Sequence, residues 1–326
     1  MPFEIQGAIF FHKKLRGVEH EKGLYLFSIH FNFRILKIVI SNDNKAKLLM
    51  IISALSFSIM AAVVKATSHS VAVKAFSRQI FSCIFVLSII IIKNNRIIPL
   101  KKNRIKLILR CLFGTIGIYF YFYSIDNLLL ANASMLTRLS PFFVTLFAFL
   151  ILKESVNGIN WLIFIPMVIG CGLIIKPNSE LFNPASFFAV ISACSGAMAY
   201  TMIKSIGKDE SAYTIIFWFT LISSGIYFTI AFNELLLLDD IKYLSLIMIG
   251  VFGVIGQIGL TLSYQLSKAS YVAPYSYIYI LFAGLIGYYL WNELPDMLSM
   301  FGYFLIIISY YYLIRIQNQT LNDSNQ

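Results

Sequence analysis

Long apolar runs dominate this sequence and limit what it can fold into. A bilayer hydrocarbon core of about 30 Å needs roughly 20 apolar residues in one helix. From residue 48 onward, ten runs of about this length are separated by short polar or Gly/Pro-containing breaks. They lie at 48–67, 71–92, 105–125, 128–152, 159–176, 184–204, 212–232, 243–263, 269–291 and 297–315. The pattern predicts an all-α integral membrane protein with ten transmembrane helices.

The composition agrees with a membrane protein. Of the 326 residues, 59% are apolar and 13% are charged, whereas a soluble domain carries about 25% charged residues. The net charge of +11 lies mainly in connectors between the runs, and no basic patch interleaved with exposed aromatic residues is evident. We therefore predict that the partners are the lipid bilayer and a small-molecule solute, with no nucleic acid. A homodimer is left open.

The basic residues also predict an orientation. Cytoplasmic connectors of membrane proteins are enriched in Lys and Arg. The most basic connector follows the second run and holds Lys93, Arg96, Lys101, Lys102, Arg104 and Lys106. With an even number of spans, both termini are then cytoplasmic. The Ile-, Asn- and Lys-rich composition points to an AT-rich bacterial genome, so the predicted location is the bacterial inner membrane, in a multi-pass arrangement.

Residues 1–47 fit this pattern less well. The apolar stretch Leu24–Ile40 is interrupted by His30, Arg34 and Lys37. We interpret residues 1–47 as an N-terminal cytoplasmic or interfacial segment. An additional span and an upstream extension from a mis-chosen start codon are the alternatives.

The chain resembles itself at an offset of 139 residues. Five features recur in the same order without a gap. They are ISALS at 52–56 and ISACS at 191–195, Lys65 and Lys204, FGTIG at 113–117 and FGVIG at 252–256, Ser124 and Ser263, and Glu154 and Glu293. The predicted domains are a first repeat at 48–180, a second at 181–316 and a cytoplasmic tail at 317–326. Two repeats of five spans must have opposite orientations, and such inverted repeats are typical of secondary transporters.

Four segments resemble the drug/metabolite transporter superfamily of the EamA type. They are ISALSFSIMAAVVKA at 52–66, RCLFGTIGIYFYFYSID at 110–126, ANASMLTRLSPFFVTLFAFLILKE at 131–154 and ASYVAPYSYIYILFAGLIGYYLWNELPD at 269–296. The resemblance implies ten helices in a five-plus-five duplication over residues 48–315. The APYSY and WNELPD segments also resemble the S-adenosylmethionine uptake carriers, whereas Arg138 in the fourth run departs from them.

Two arginines lie within the apolar runs. A charge near a helix centre costs about 2.5–3.5 kcal/mol on insertion scales, so it is a candidate functional group. Arg138 lies near the middle of the fourth run, three residues before Pro141, where a proline-kinked helix could form a substrate site. Its alternative role is to bind the carbonyls that Pro141 leaves free. Arg78 could grip a carboxylate or phosphate, or its side chain could extend to the interface.

Further candidates lie nearer the ends of the runs. Lys65 and Lys204 end the first and sixth runs and occupy equivalent repeat positions. Tyr275 and Tyr277 belong to a tyrosine-rich stretch around Pro274 that could either line a pocket or pack at the lipid interface. Glu154 and Glu293 close the fourth and ninth runs at opposite faces, as gate residues or as structural helix ends.

Several function classes lack their signatures here. The sequence holds no HExxH motif, paired core carboxylates or Ser–His arrangement within the runs, so we predict no enzyme, catalytic residue, cofactor or metal site. The sequence also shows no repeated selectivity-filter segment or charged ring of the kind that channels use. A receptor or scaffold function is an alternative to transport. With no mid-run Asp or Glu and no His after His69, we expect uniport, exchange or coupling through Glu154 and Glu293.

The mid-run guanidinium groups indicate a solute with its own negative group. We therefore predict a secondary carrier for an amino acid or another carboxylate- or phosphate-bearing metabolite, working by alternating access. The alternatives are an exporter of apolar or cationic drugs and an S-adenosylmethionine uptake carrier.

Overall fold

The fold is a bundle of α-helices with short connections. The computed structural model describes residues 42–154, 158–176, 183–236 and 243–323. Residues 1–41 of the predicted N-terminal segment 1–47 therefore lie outside the described part. Residues 1–45 and 46–326 form separate units, and the contacts below belong to the second.

The described residues form twelve helices and three 3₁₀ turns. The helices are α1 (Asn42–Ala66), α2 (Val71–Ile92), α3 (Arg104–Asn127), α4 (Leu130–Thr137), α5 (Ser140–Leu152), α6 (Gly158–Ile175), α7 (Ala185–Ile206), α8 (Ala212–Leu235), α9 (Tyr243–Leu266), α10 (Ala269–Val272), α11 (Ile278–Trp291) and α12 (Met297–Asp323). The 3₁₀ turns are Lys101–Asn103, Gly207–Asp209 and Ala273–Tyr277.

The helices coincide with the predicted runs. Among the described residues, eight helical segments are long and apolar enough to cross a membrane, and two shorter apolar helices, Leu162–Ile175 and Met297–Ser309, fall in the fifth and tenth runs. Large apolar side chains such as Ile84 and Phe85 stay exposed on the outside of the bundle, as lipid contact requires. The chain is an all-helical, multi-pass membrane protein, and the number of ten spans stays a prediction.

The fourth and ninth runs are broken helices rather than continuous ones. In the fourth, α4 ends at Thr137 and α5 begins at Ser140, with Pro141 in its first turn. Proline is tolerated there because a first-turn N–H has no intrahelical partner. The sequence predicts a proline kink in a continuous helix, whereas in the structure the helix ends before Pro141 and a new one begins. The ninth run breaks at the equivalent place, through the 3₁₀ turn Ala273–Tyr277.

Hydrogen bonds reproduce the 139-residue repeat. Ser53 Oγ on α1 donates to the Gly256 carbonyl on α9 at 2.7 Å, and the equivalent Ser192 Oγ on α7 donates to the equivalent Gly117 carbonyl on α3 at 2.7 Å. The halves exchange partners, as copies related by a two-fold axis do. This confirms the two-repeat architecture.

The ends of the broken helices repeat as well. Lys153 and Asn292, 139 residues apart, have left-handed φ angles of 54° and 52° and terminate α5 and α11. After them, the Glu154 and Glu293 amides donate to the Ala148 and Gly287 carbonyls. Both glutamates therefore follow the same helix-ending turn.

Packing between the repeats places the cavity. α3 packs on α7, α2 packs on α8, and α6 packs on α12. Gly170 and Gly302 bring α6 and α12 so close that a Cβ on either would lie 2.6 Å from the other's carbonyl oxygen. Small residues of this kind allow close approach of membrane helices. The break in the fourth run lies beside this cavity, because Thr137, Arg138 and Ser140 line it.

Candidate functional site

A buried cavity lies at the centre of the bundle. Its volume is about 80 Å³, enough for several water molecules but not for a large solute without opening. Its wall comes from both repeats. The lining residues include Phe57, Arg78, Arg110, Tyr121, Arg138, Tyr200, Phe219 and Gln257.

Three arginines converge on this cavity. Arg78 comes from α2, Arg110 from α3, and Arg138 from the break between α4 and α5. All three are buried, with exposed fractions of 4%, 2% and 8% respectively. A guanidinium stays charged in proteins, so the cavity wall carries three positive charges.

Arg78 is held by amide side chains. Its Nη1 donates to Gln79 Oε1 at 2.7 Å and its Nη2 donates to Gln257 Oε1 at 3.3 Å. The Phe57 ring faces the guanidinium at 5.6 Å. These contacts hold Arg78 without neutralising it.

Arg110 is held by stacking. Its guanidinium carbon lies 3.8 Å from the centroid of the Phe219 ring on α8, a cation–π contact. Gly114, one turn later on α3, provides the space, because a Cβ there would lie 2.1 Å from Arg110 Nη1. The charge is therefore presented to the cavity on a rigid aromatic support.

Arg138 lies at the helix break itself. Its guanidinium carbon stacks 3.9 Å from the centroid of the Tyr279 ring on α11. The Tyr279 hydroxyl hydrogen-bonds the Tyr121 hydroxyl at 2.7 Å. Arg138 therefore contacts α11, the second half of the other broken helix, through Tyr279.

The arginines keep donors without acceptors. Among the described residues, the buried nitrogen atoms that lack a hydrogen-bond partner include Arg78 Nε, Gln79 Nε2, Arg110 Nε, Arg110 Nη1 and Arg138 Nε. No Asp, Glu or His is among the described residues that line the cavity. Leaving buried donors unsatisfied is costly, so these nitrogen atoms are available to a hydrogen-bond acceptor that enters the cavity.

Two ion-pair clusters lie at the end of the bundle opposite the basic connector, which we call the far end. Lys65 Nζ pairs with Glu293 Oε1 at 2.6 Å and also donates to the Leu128 carbonyl at 2.8 Å. Glu293 Oε2 accepts from the Leu130 amide at 2.6 Å. The pair thereby ties the ends of α1 and α11 to the start of α4.

The second cluster joins Lys176 and Asp296, which form an ion pair. Asp296 Oδ1 also accepts from the Leu298 and Ser299 amides at 3.0 and 3.1 Å, capping α12. Burial raises the pKa of Asp296, but the bonds from Lys176 and Ser299 outweigh it and lower that pKa to about 2. Asp296 is thus fixed as an anion at the far end.

The opposite end repeats one of these contacts. Lys204 Nζ donates to the Ser267 carbonyl at 2.6 Å, and both residues are 139 positions from Lys65 and Leu128. The predicted equivalence of the two lysines therefore extends to their contacts. Each end lysine thus binds the connector just before the broken helix of its own repeat.

Several predicted site residues lie away from the cavity. Arg78 and Arg138 line it, whereas Pro141, Tyr275, Lys65 and Lys204 are not among the described residues that do. Tyr275 instead packs on Tyr271 and lies 5.4 Å from Lys47 Nζ. Tyr277 belongs to the 3₁₀ turn of the ninth run, and its side chain lies outside the described part.

Arg110 is the residue that the sequence interpretation missed. It lies six residues after Arg104, near the start of the third run, and it was not among the predicted site residues. The signal was its position: from Leu107 to Ile118, Arg110 is the one charged residue. Gln257 and Phe219 carried no signal, because their role depends on contacts between the two halves.

Comparison with known proteins agrees with the fold. The model of the family described as "EamA-like transporter family" matches residues 44–176 and 183–315, one match for each repeat. One solved crystal structure with 14% sequence identity superposes with a TM-score of 0.63 and covers 85% of this chain and 98% of its own. At this identity, it shows a shared fold.

Curated relatives are transporters. The pseudopaline exporter CntI of Pseudomonas aeruginosa is 31% identical over 80% of this chain and 93% of its own. Human solute carrier family 35 member G1 is 27% identical over 79% of this chain and 76% of its own. The S-adenosylmethionine uptake transporter of Rickettsia bellii is 24% identical over 84% of this chain and 94% of its own.

Proposed function

This chain belongs to the EamA-like transporter family, and from that premise we propose that it is a secondary carrier for a small anionic metabolite in the bacterial inner membrane. The observation that supports this substrate class is the set of three buried arginines, whose donors lack partners in a cavity without acidic lining residues. A carboxylate or phosphate would satisfy those donors bidentately.

The two-repeat architecture supports transport by alternating access. Secondary transporters commonly place broken helices at a central site between inverted repeats. Here both repeats contain a broken helix, and the break between α4 and α5 lines the cavity. The Lys65–Glu293 pair, which joins α1 to the segment after α11, is the proposed gate at the far end. Its opening, with closure around Lys204 and Glu154 at the opposite end, would present the cavity to the other side.

The cavity charge helps to choose among the relatives' substrates. The relatives include an S-adenosylmethionine uptake transporter and a pseudopaline exporter. A net cationic solute or a cationic drug would be repelled by three uncompensated guanidinium groups. The charge therefore favours the anionic class and says nothing of direction.

Counterflow in proteoliposomes tests the proposal. Purified full-length protein is reconstituted, and labelled amino acids, sugar phosphates and S-adenosylmethionine are offered separately. We expect saturable, competable movement of an anionic solute that is lost in Arg138→Gln and kept in Arg104→Gln, which changes an exposed arginine. Movement of cationic or apolar drugs alone, unaffected by Arg138→Gln, would overturn the anionic assignment.

A further inference from the structure

The three cavity arginines differ from other buried or partly buried cations of the described chain, which have acidic partners. Lys74, which is 2% exposed, pairs with Asp126 at 2.7 Å. Lys65 and Lys176 pair with Glu293 and Asp296. Buried charges are normally paired in this way because desolvation is costly. Arg78, Arg110 and Arg138 have no acidic partner in the described structure.

The first repeat alone supplies the three arginines. At the 139-residue offset, the positions equivalent to Arg78, Arg110 and Arg138 hold Phe217, Ile249 and Tyr277. All three charges thus come from the first repeat, although the same family model matches both repeats. The duplicated architecture therefore does not by itself require arginine at these positions.

An aromatic ring lies over the guanidinium face of each cavity arginine. Phe57, Phe219 and Tyr279 cover the guanidinium faces of Arg78, Arg110 and Arg138. The N–H groups of a guanidinium lie in its plane, so stacking leaves the edges available. The three groups come from three different segments, and each keeps at least one buried N–H group without a hydrogen-bond partner among the described residues.

The charge balance sets a lower limit for the occupant. A single carboxylate would leave two of the three guanidinium groups uncompensated in a low-dielectric site. Resting on the proposed carrier function, we propose that the solute bears two or more negative charges on one small molecule, as in a dicarboxylate, a tricarboxylate or a phosphate monoester. Arg110 is a binding residue for it, together with Arg78 and Arg138.

Binding by purified full-length protein tests the charge number. Thermal unfolding is followed with butyrate, succinate, propane-1,2,3-tricarboxylate and glycerol 3-phosphate at constant ionic strength, because salt alone changes exposed interactions. We expect succinate, the tricarboxylate or glycerol 3-phosphate to bind at least about tenfold more tightly than butyrate, given the worth of one charged hydrogen bond. Preference for the phosphate monoester places both charges on one group, and preference for the carboxylates places them on separate groups.

Variants assign the binding to the arginines. Arg110→Gln should weaken the preferred polyanion at least about tenfold and change butyrate binding little. Arg104→Gln, on the exposed start of the same helix, should change neither. If Arg110→Gln fails to fold, Arg138→Gln provides the same comparison with a neutral side chain. Arg110→Lys then shows whether the fold tolerates a change at this position when the charge is kept.

The outcomes separate this inference from the proposed function. Equal binding of butyrate and succinate, no shift with any polyanion, or full affinity in folded Arg110→Gln would overturn the inference. Counterflow of a monoanion without a preference for polyanions would leave the carrier in place and remove the charge limit. Binding of a polyanion without any counterflow would leave the site in place and remove the carrier function.

Discussion

Gly253 on α9 lies against Arg78 on α2, so closely that a Cβ on the glycine would lie 2.8 Å from Arg78 Cγ and 3.3 Å from its Nε. Its repeat equivalent, Gly114, makes the same kind of space for Arg110. Equivalent glycines thus seat two of the three cavity arginines. Glycine is required at these two positions because it leaves space for the arginine side chains, and not because of its backbone freedom.

Gly253→Ala should displace Arg78 and weaken the anionic solute about tenfold, or about 1.4 kcal/mol. Alanine favours a helix over glycine, so the fold itself should survive. Binding isotherms and melting temperatures measured together separate the two effects. Gly225→Ala on α8 is the matched control, since a Cβ there meets nothing within 4 Å. Unchanged affinity in Gly253→Ala would contradict the seating role.

Charge exchange at the far end should be partly reversible. Lys65→Glu and Glu293→Lys alone each leave like charges beside each other and should lower the free energy of unfolding by about 1–3 kcal/mol. The double exchange restores the pair and should recover part of both stability and counterflow. Chemical denaturation of all four proteins provides the double-mutant cycle. Strict additivity would show that the two side chains do not interact.

The Asp296 ion pair should make stability depend on acid pH. Its pKa is lowered to about 2 from the ordinary aspartate value of 3.8, so on acidification the unfolded chain takes up the proton first. The stabilisation is complete above pH 4 and is lost as the pH falls from about 4 to 2. Melting temperatures of wild type and Asp296→Asn should therefore converge in that window. A difference that stays constant down to pH 2 would refute the shift.

Lys176→Gln refines the same measurement. It removes the ion pair of Asp296 but leaves the bonds from Ser299, so the aspartate still caps α12. The acid transition should move to higher pH than in wild type, because a main stabiliser of the carboxylate is lost. If the transition does not move, Ser299 rather than Lys176 holds the charge.

The predicted orientation can be tested with introduced cysteines. Asn95→Cys lies in the basic connector at a half-buried position, and Asn127→Cys lies at the far end at an exposed one. A membrane-impermeant thiol reagent added to intact cells should label the second and spare the first, because basic connectors stay in the cytoplasm. The native chain, whose Cys83, Cys111 and Cys171 are buried and whose Cys194 is half-buried, is the control for background labelling. Labelling of Asn95→Cys alone would reverse the orientation.

The sequence alone determined the helical, membrane-spanning class and the repeat. Both follow from patterns that are local or strictly periodic: apolar runs are set by bilayer thickness, and duplication leaves a fixed offset between Ser53 and Ser192 or Glu154 and Glu293. The charges of Arg78 and Arg138 were also visible, because a charged residue inside an apolar run is costly wherever the helix packs.

Only the tertiary structure decided which charges share one site. Lys65 and Arg78 were both candidate site residues in the sequence, yet Lys65 is neutralised by Glu293, 228 positions away along the chain. The sequence did not single out Arg110, yet it stacks on Phe219 beside the cavity. Whether a cation is paired or free depends on contacts between distant helices, and sequence periodicity carries no information about those distances.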